Sequence, residues 1–202
     1  CFDLMGGWGK DPHGDRLGRP SALHDTTRTN AEITIALYDA IRSGAGTSMV
    51  LGCNTVSHLA AGRFEIQRTG DDTSGRDWER TRRMGINTLA MRMPQHNAFY
   101  ACDADCVGST DAVPWHLNEQ WLHLLAHSGT PLFVSADAAF QKDRQRKKIH
   151  EAFQIASLPH DAAIPLDWEQ TTCPAEWMLY NGKHQYHWSD WYTPETRSVW
   201  WR

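Results

Sequence analysis

The chain has 202 residues, 41% hydrophobic and 22% charged, which is enough apolar material for one substantial core carrying an appendage. A net charge of -4 and a pI of about 6.3 supply no basic field to hold nucleic acid or an anionic membrane, so a small neutral substrate fits better. No apolar run reaches the roughly 18 residues of a membrane span.

The opening residues carry no signal-peptide pattern and begin with Cys1 rather than methionine, so a piece of a longer protein is expected. The five cysteines, Cys1, Cys53, Cys102, Cys106 and Cys173, are odd in number and scattered. They do not read as a disulfide framework, and a reducing, cytoplasmic compartment is favoured.

In chain order, Asp11 to Arg19 reads as a polar loop. Thr29 or Asn30 caps a predicted helix to Ser43, with Ile33, Leu37, Ala40 and Ile41 on one face and Gly44 and Gly46 at its end. Met49-Val50-Leu51 is a short buried strand ending at Gly52-Cys53-Asn54. Val56 to Gly62 makes at most a turn of helix, and Arg63 to Arg68 is strand-like. Ser74 is expected to cap a helix from Arg76 to Met84 that stops at Gly85. Asn87 to Met93 is expected as a strand, opening into a long loop through Cys106. From Pro114, the spacing of Trp115, Leu117, Trp121, Leu124 and Leu125 predicts an amphipathic helix closed by Gly129. Pro131 to Ser135 reads as a compact buried strand and Arg144 to Ala156 as the last helix. Strand, loop, helix and strand recur, the pattern of a parallel α/β architecture.

Beyond Pro159, Ile164 to Trp168, Trp177 to Tyr180 and Tyr186 to Trp191 are short aromatic-rich runs, with Asn181-Gly182 as a hairpin turn. A small antiparallel β unit is expected there. Trp168, Trp177, Trp188, Trp191, Trp200 and Trp201 offer faces for sugar stacking, but aromatic residues in this density more often pack the unit. The expected layout is residues 1–158 as one domain and 159–202 as a small C-terminal β domain.

In parallel α/β folds the chemistry sits at the C-terminal ends of strands. Polar groups fall at those places: Cys53 and Asn54, Asp71 and Asp72, His96, Asp103 and Asp105, and Ser135 and Asp137. Each alone reads as a capping or solvated loop residue; their joint placement points to a site. Cys102 and Cys106, with His96 and His116 nearby, lack paired Cys-x-x-Cys spacing, so no metal and no cofactor is expected. The basic run Lys142 to Lys148 is interrupted by Asp143 and starts a helix, so it reads as a solvated face.

The stretch Gln67 to Trp78, QRTGDDTSGRDW, resembles the acid/base strand of the clan D retaining glycosidases, especially family 36 α-galactosidases. Leu51 to Glu65 resembles the preceding strand and its cysteine-containing sugar loop. ACDADCVG, with Asp103 and Asp105, is similar to the Asp-Pro-Asp loop of family 27, with Ala104 in place of proline, and Thr130 to Asp137 resembles the last barrel strand. The resemblance covers residues 1–172. It implies the second half of a (β/α)8 TIM barrel, about strands five to eight, followed by the small β unit. It also implies retaining cleavage of terminal α-galactosides, or of a related sugar such as α-N-acetylgalactosaminide.

Two carboxyls about 5 to 5.5 Å apart flank the bond in that chemistry, one attacking and one moving the proton. The resemblance makes Asp71 the acid/base. Cys53, Asn54, Arg68, Asp72 and Asp105 become substrate contacts, with Asp72 alternatively capping a helix and Arg68 alternatively an ion-pair partner. The family's Lys-x-Asp nucleophile would precede the segment CFDLMGGWG, and Asp3 lacks the lysine two residues before it. A chain without its nucleophile is therefore expected, and a non-catalytic carbohydrate-binding piece is the alternative. The expected partner is an α-galactoside, with no nucleic acid and no membrane; oligomeric state is open.

Overall fold

The chain runs through β1 (Phe2–Asp3), α1 (Asn30–Ala45), β2 (Leu51–Cys53) and β3 (Ile66–Arg68), then α2 (Trp78–Arg80), a π-helical segment (Thr81–Asn87) and α3 (Thr88–Arg92). It continues through β4 (Ala101–Asp103), β5 (Cys106–Ser109), α4 (Trp115–His127), β6 (Phe133–Ala136), α5 (Asp143–Ala156), β7 (Ile164–Pro165), β8 (Glu176–Leu179) and β9 (Gly182–Gln185). This computed structural model describes residues 2–3 and 27–188. The polar loop expected at Asp11 to Arg19 and the tryptophans Trp191, Trp200 and Trp201 lie outside the described residues. The chain divides into two compact units after Arg68.

In the first unit, α1 begins with a full capping box. The Thr29 Oγ1 accepts the Glu32 N–H at 3.2 Å and the Glu32 carboxylate accepts the Thr29 N–H at 2.7 Å. The helix ends at Gly46 with φ +56. Strands β1, β2 and β3 pair in parallel, Phe2 with Gly52 and Leu51 with Ile66. Tyr38, Val50, Ala60 and Phe64 form the core beneath them, with the Tyr38 and Phe64 rings 4.8 Å apart. The Tyr38 hydroxyl oxygen also accepts the Val56 N–H at 2.8 Å. Burial pushes that phenol's pKa up. The half-buried Arg42 ties α1 to the strands: Nη1 reaches Glu65 at 2.8 Å, and the same carboxylate accepts the Val50 N–H at 2.7 Å.

The second unit is built on α4. Leu117, Trp121, Leu124 and Leu125 are buried, as their spacing predicts, but Leu122 and Ala126 are buried too, so the helix is covered on more than one face. Trp78, Ile86, Leu89, Val107, Trp177, Leu179, Tyr186 and Trp188 pack into the same core. This core runs across residues 158 and 159, so the β unit shares its packing with the helices. Strands β5 and β6 pair in parallel, Cys106 with Phe133 through Ser109 with Ala136. Strands β7, β8 and β9 form an antiparallel sheet in which Leu179 faces Gly182 across the Asn181 turn. The described residues thus mix helices with parallel and antiparallel pairing, in small, unclosed sheets.

Several expectations are corrected. Asp77, not Ser74, caps the helix, its carboxylate accepting the Arg80 N–H at 3.1 Å. The helix passes through Gly85 as a π-helical segment and continues through Asn87 to Met93, where a strand was expected. The physical reason is close packing: a Cβ on Gly85 would sit 3.0 Å from the Trp121 ring, so this glycine admits a tryptophan rather than ending a helix. Leu89, Ala90 and Met93 then bury at helical spacing. The loop expected through Cys106 contains β4 and β5 instead. Phe133 to Ala136 forms a strand, but Phe133, Ser135 and Ala136 are exposed, against the expected compact buried one. The basic run at the start of α5 is outward and ion-paired, Arg144 with Glu119 at 3.4 Å and Lys148 with Glu151 at 3.1 Å.

Candidate active site

The Gly-Asp-Asp stretch forms the entry to the second unit, and its two ends are held by different means. At one end the Thr69 N–H donates to the Asp103 carbonyl at 2.8 Å, and a Cβ on Gly70 would overlap the Met84 carbonyl in the π-helical segment. Only glycine lets that backbone approach the helix so closely. At the other end Gly75 lies against β5, with a Cβ placed on it only 2.5 Å from the Gly108 Cα, while Thr110 donates its hydroxyl to the Gly75 carbonyl at 2.5 Å.

Between them Thr73 is buried and anchored on the Asp105 carboxylate. Its N–H donates to Oδ2 at 2.5 Å, and its hydroxyl donates to the Cys106 carbonyl at 2.7 Å. Asp105 adopts φ +67, a left-handed conformation that aspartate tolerates better than most residues, and its own N–H donates to Asp103 Oδ1 at 2.7 Å. Asp105 is 7% exposed, so its carboxylate works as an internal brace for the 70–75 loop.

Asp71 and Asp72 project outward from this braced loop, both exposed. The Asp71 side chain is 52% exposed; Oδ2 is 2.5 Å from Arg80 Nη2 and Oδ1 accepts the Asp72 N–H at 2.8 Å. A charge-assisted bond of this kind fixes where the carboxylate points. Arg80 is carried by the turn of helix that Asp77 caps, so the same sequence that starts α2 also places the cation. The sequence reading missed Arg80. Its signal was available: an acid and an arginine nine residues apart, on either side of a helix start.

In the first unit, Cys53 ends β2 and Asn54 follows it with φ +52, while Arg68 ends β3. Cys53 is a half-buried cysteine outside any disulfide among the described residues, and Asn54 is exposed. Between these strand ends sits Gln67, another residue the sequence reading missed. It is 1% exposed, donates to the Gly52 and Arg68 carbonyls at 3.1 Å each, and accepts the Thr55 hydroxyl at 2.7 Å. A Cβ on Gly52 would strike that amide at 2.6 Å, so the glycine is what makes room for it. Thus Cys53, Asn54 and Arg68 belong to the first unit, and Asp71, Asp72 and Asp105 to the second.

The remaining candidates have internal partners. His96 accepts the Cys102 N–H on Nδ1 at 3.0 Å and donates from Nε2 to the Gly129 carbonyl at 3.0 Å, and burial pushes its pKa down. Cys102 is fully buried, and burial pushes its thiol up to about 11, away from nucleophilic or metal-binding form. Asp137 caps a single helical turn, accepting the Ala139 N–H at 2.9 Å. Among the described residues, no group of three or more histidines, cysteines and carboxylates is arranged to hold a metal ion. Trp177 and Trp188 are buried and both donate their indole N–H to the Pro174 carbonyl, so they pack rather than offer a platform. Trp168 is 47% exposed. Among the described residues, no helix is long and apolar enough to cross a membrane.

Compared with known proteins, the chain matches no family model, and no curated protein matches it.

Proposed function

We propose that the chain belongs to a retaining α-glycoside hydrolase of the α-galactosidase kind, contributing about strands five to eight of a (β/α)8 barrel and the acid/base carboxyl Asp71. One observation carries the reading: an outward-facing carboxylate held at a defined orientation on a loop that Gly70, Thr73 and Gly75 pin to the scaffold. Proton transfer to a leaving group needs such a fixed, accessible carboxyl, because misplacement by an ångström costs orders of magnitude in rate. Asp72, exposed beside it, would meet a sugar hydroxyl, and Asp105 would serve the site by holding the loop. The sugar contacts that resemblance gives Cys53, Asn54 and Arg68 sit in the first unit and are tested by their own substitutions. No residue of this chain is assigned the nucleophile.

The Asp71–Arg80 ion pair favours a second reading, in which the loop binds sugar without cleaving it, since a carboxylate engaged by a guanidinium serves well as a hydrogen-bond acceptor for hydroxyls. The full-length protein separates the two. Hydrolysis of an alkyl α-galactoside, a poor leaving group, is expected to fall about 100-fold or more in Asp71→Asn, with a smaller fall for a nitrophenyl galactoside that needs no protonation. Equal rates for the variant and the unmodified protein on the alkyl substrate would overturn the catalytic assignment. Galactose binding without turnover in the unmodified protein would select the second reading.

A further inference from the structure

We infer that the β8–β9 hairpin is fastened to α4 by a stack of histidine and tyrosine rings that lets go on acidification. This inference stands apart from the glycosidase reading. On α4, the His123 and His127 rings stack at 4.1 Å, one turn apart. From the hairpin, His184 lies 5.1 Å from His123 and 6.4 Å from His127, and Tyr180 stacks on His127 at 5.5 Å. His160, from the segment after α5, stacks on Tyr180 at 4.0 Å.

Burial and the surrounding histidines favour neutral rings at His123 and His127. Tyr186 is buried, its phenol made less acidic by burial, and its hydroxyl lies 2.8 Å from His123 Nδ1, which accepts the O–H when the ring is the Nε2–H tautomer. His127 Nδ1–H donates to the His123 carbonyl at 2.8 Å. The chargeable groups bearing on His123 are His127, His184 and, from α5, Lys148, and those bearing on His127 are His184 and His160. All are cationic when protonated. The nearby carboxylates have cations of their own: Glu151 has Lys148, Glu119 has Arg144, and Glu176 has Lys183 at 2.6 Å. A proton on His123 therefore arrives among groups that are themselves cationic when protonated, makes Nδ1 a donor so that the Tyr186 O–H no longer has that nitrogen to donate to, and faces burial.

One clasp does not titrate. Gln120 on α4 donates to the His187 carbonyl at 3.2 Å and accepts the His187 N–H at 2.8 Å, so the strand end stays tethered while the rings part. Release would bare Trp177, Leu179 and Tyr186, which now pack in the α4 core.

Amide hydrogen exchange on the full-length protein, with protection factors corrected for intrinsic rates, tests this at pH 7 and pH 5. Burial and the neighbouring cations hold His123 down to about 4, and restoring the ordinary value of about 6.5 on opening lowers hairpin protection about 20-fold over that range. The loss is expected at residues 177–185 and not at 121–127 of α4. His123→Phe, which keeps the stack without the titrating nitrogen, is expected to flatten the pH response. Equal hairpin protection at both pH values, a loss shared by α4, or a full response retained in His123→Phe would each overturn the inference. Should that variant fail to fold, the imidazole titration of His123 followed by NMR in the unmodified protein decides: a midpoint at or above 6.5 overturns it.

Discussion

Replacing Asp105 by alanine separates a bracing role from a substrate-binding one. The substitution strips the acceptor from the buried Thr73 N–H, and an orphaned buried donor costs about 1 to 3 kcal/mol. It also places a Cβ residue without a polar side chain at φ +67, adding about 1 kcal/mol of left-handed strain. The expected loss is about 3 kcal/mol. Asp105→Gly removes the carboxylate but relieves the backbone, so about 2 kcal/mol is expected. Asp105→Asn keeps an acceptor and tolerates the conformation, and about 1 kcal/mol is expected. Urea denaturation followed by tryptophan fluorescence reads this well, because Trp78, Trp121 and Trp177 share the core of that unit. An Asp105→Ala protein within 0.5 kcal/mol of the unmodified one, on the order of ordinary surface effects, would refute the bracing argument. So would an asparagine variant as damaged as the alanine one.

Gly108→Ala is expected to displace the 70–75 loop, since the new methyl would overlap the Ser74 carbonyl and Gly75 Cα; a crystal structure or exchange rates at residues 70–75 unchanged from the parent would contradict this. Thr29→Ala removes the side-chain half of the α1 capping box, the acceptor of the Glu32 N–H, while the backbone N–H of residue 29 keeps its bond to Glu32; it is expected to cost about 1 kcal/mol, read as a lowered denaturation midpoint of the first unit. Burial depresses the pKa of His96, so the folded form resists its protonation. The stability this group lends is complete above its unfolded value of about 6.5 and drains as pH falls below it. Denaturation midpoints that fail to drop between pH 7.5 and 5.5 would count against that sign.

Local signals made three elements readable from sequence. Thr29 and Glu32 lie three residues apart and satisfy each other's backbone, so α1 needs no distant partner to begin where it does. Pro114 with the apolar spacing that follows it marked α4, and Asn181-Gly182 marked the hairpin, because a backbone that must turn tightly selects those residues directly. That Asp71 and Asp72 follow a strand end among glycines was legible in the same way; that both side chains are exposed was not.

What sequence could not specify were contacts between segments far apart along the chain. Gly85 has the look of a helix stop, yet it sits inside a continuous helix because Trp121, thirty-odd positions later, needs its space. Asp105 reads like a substrate ligand, yet its carboxylate turns inward to Thr73, a partner 32 residues away. The sequence by itself determined which segments could coil, turn or carry charge, since those preferences depend on neighbours a few residues apart. Whether a glycine ends a helix or admits a ring, and whether an aspartate faces solvent or a buried amide, was decided only by tertiary packing, because close approach and desolvation exist only once distant segments meet.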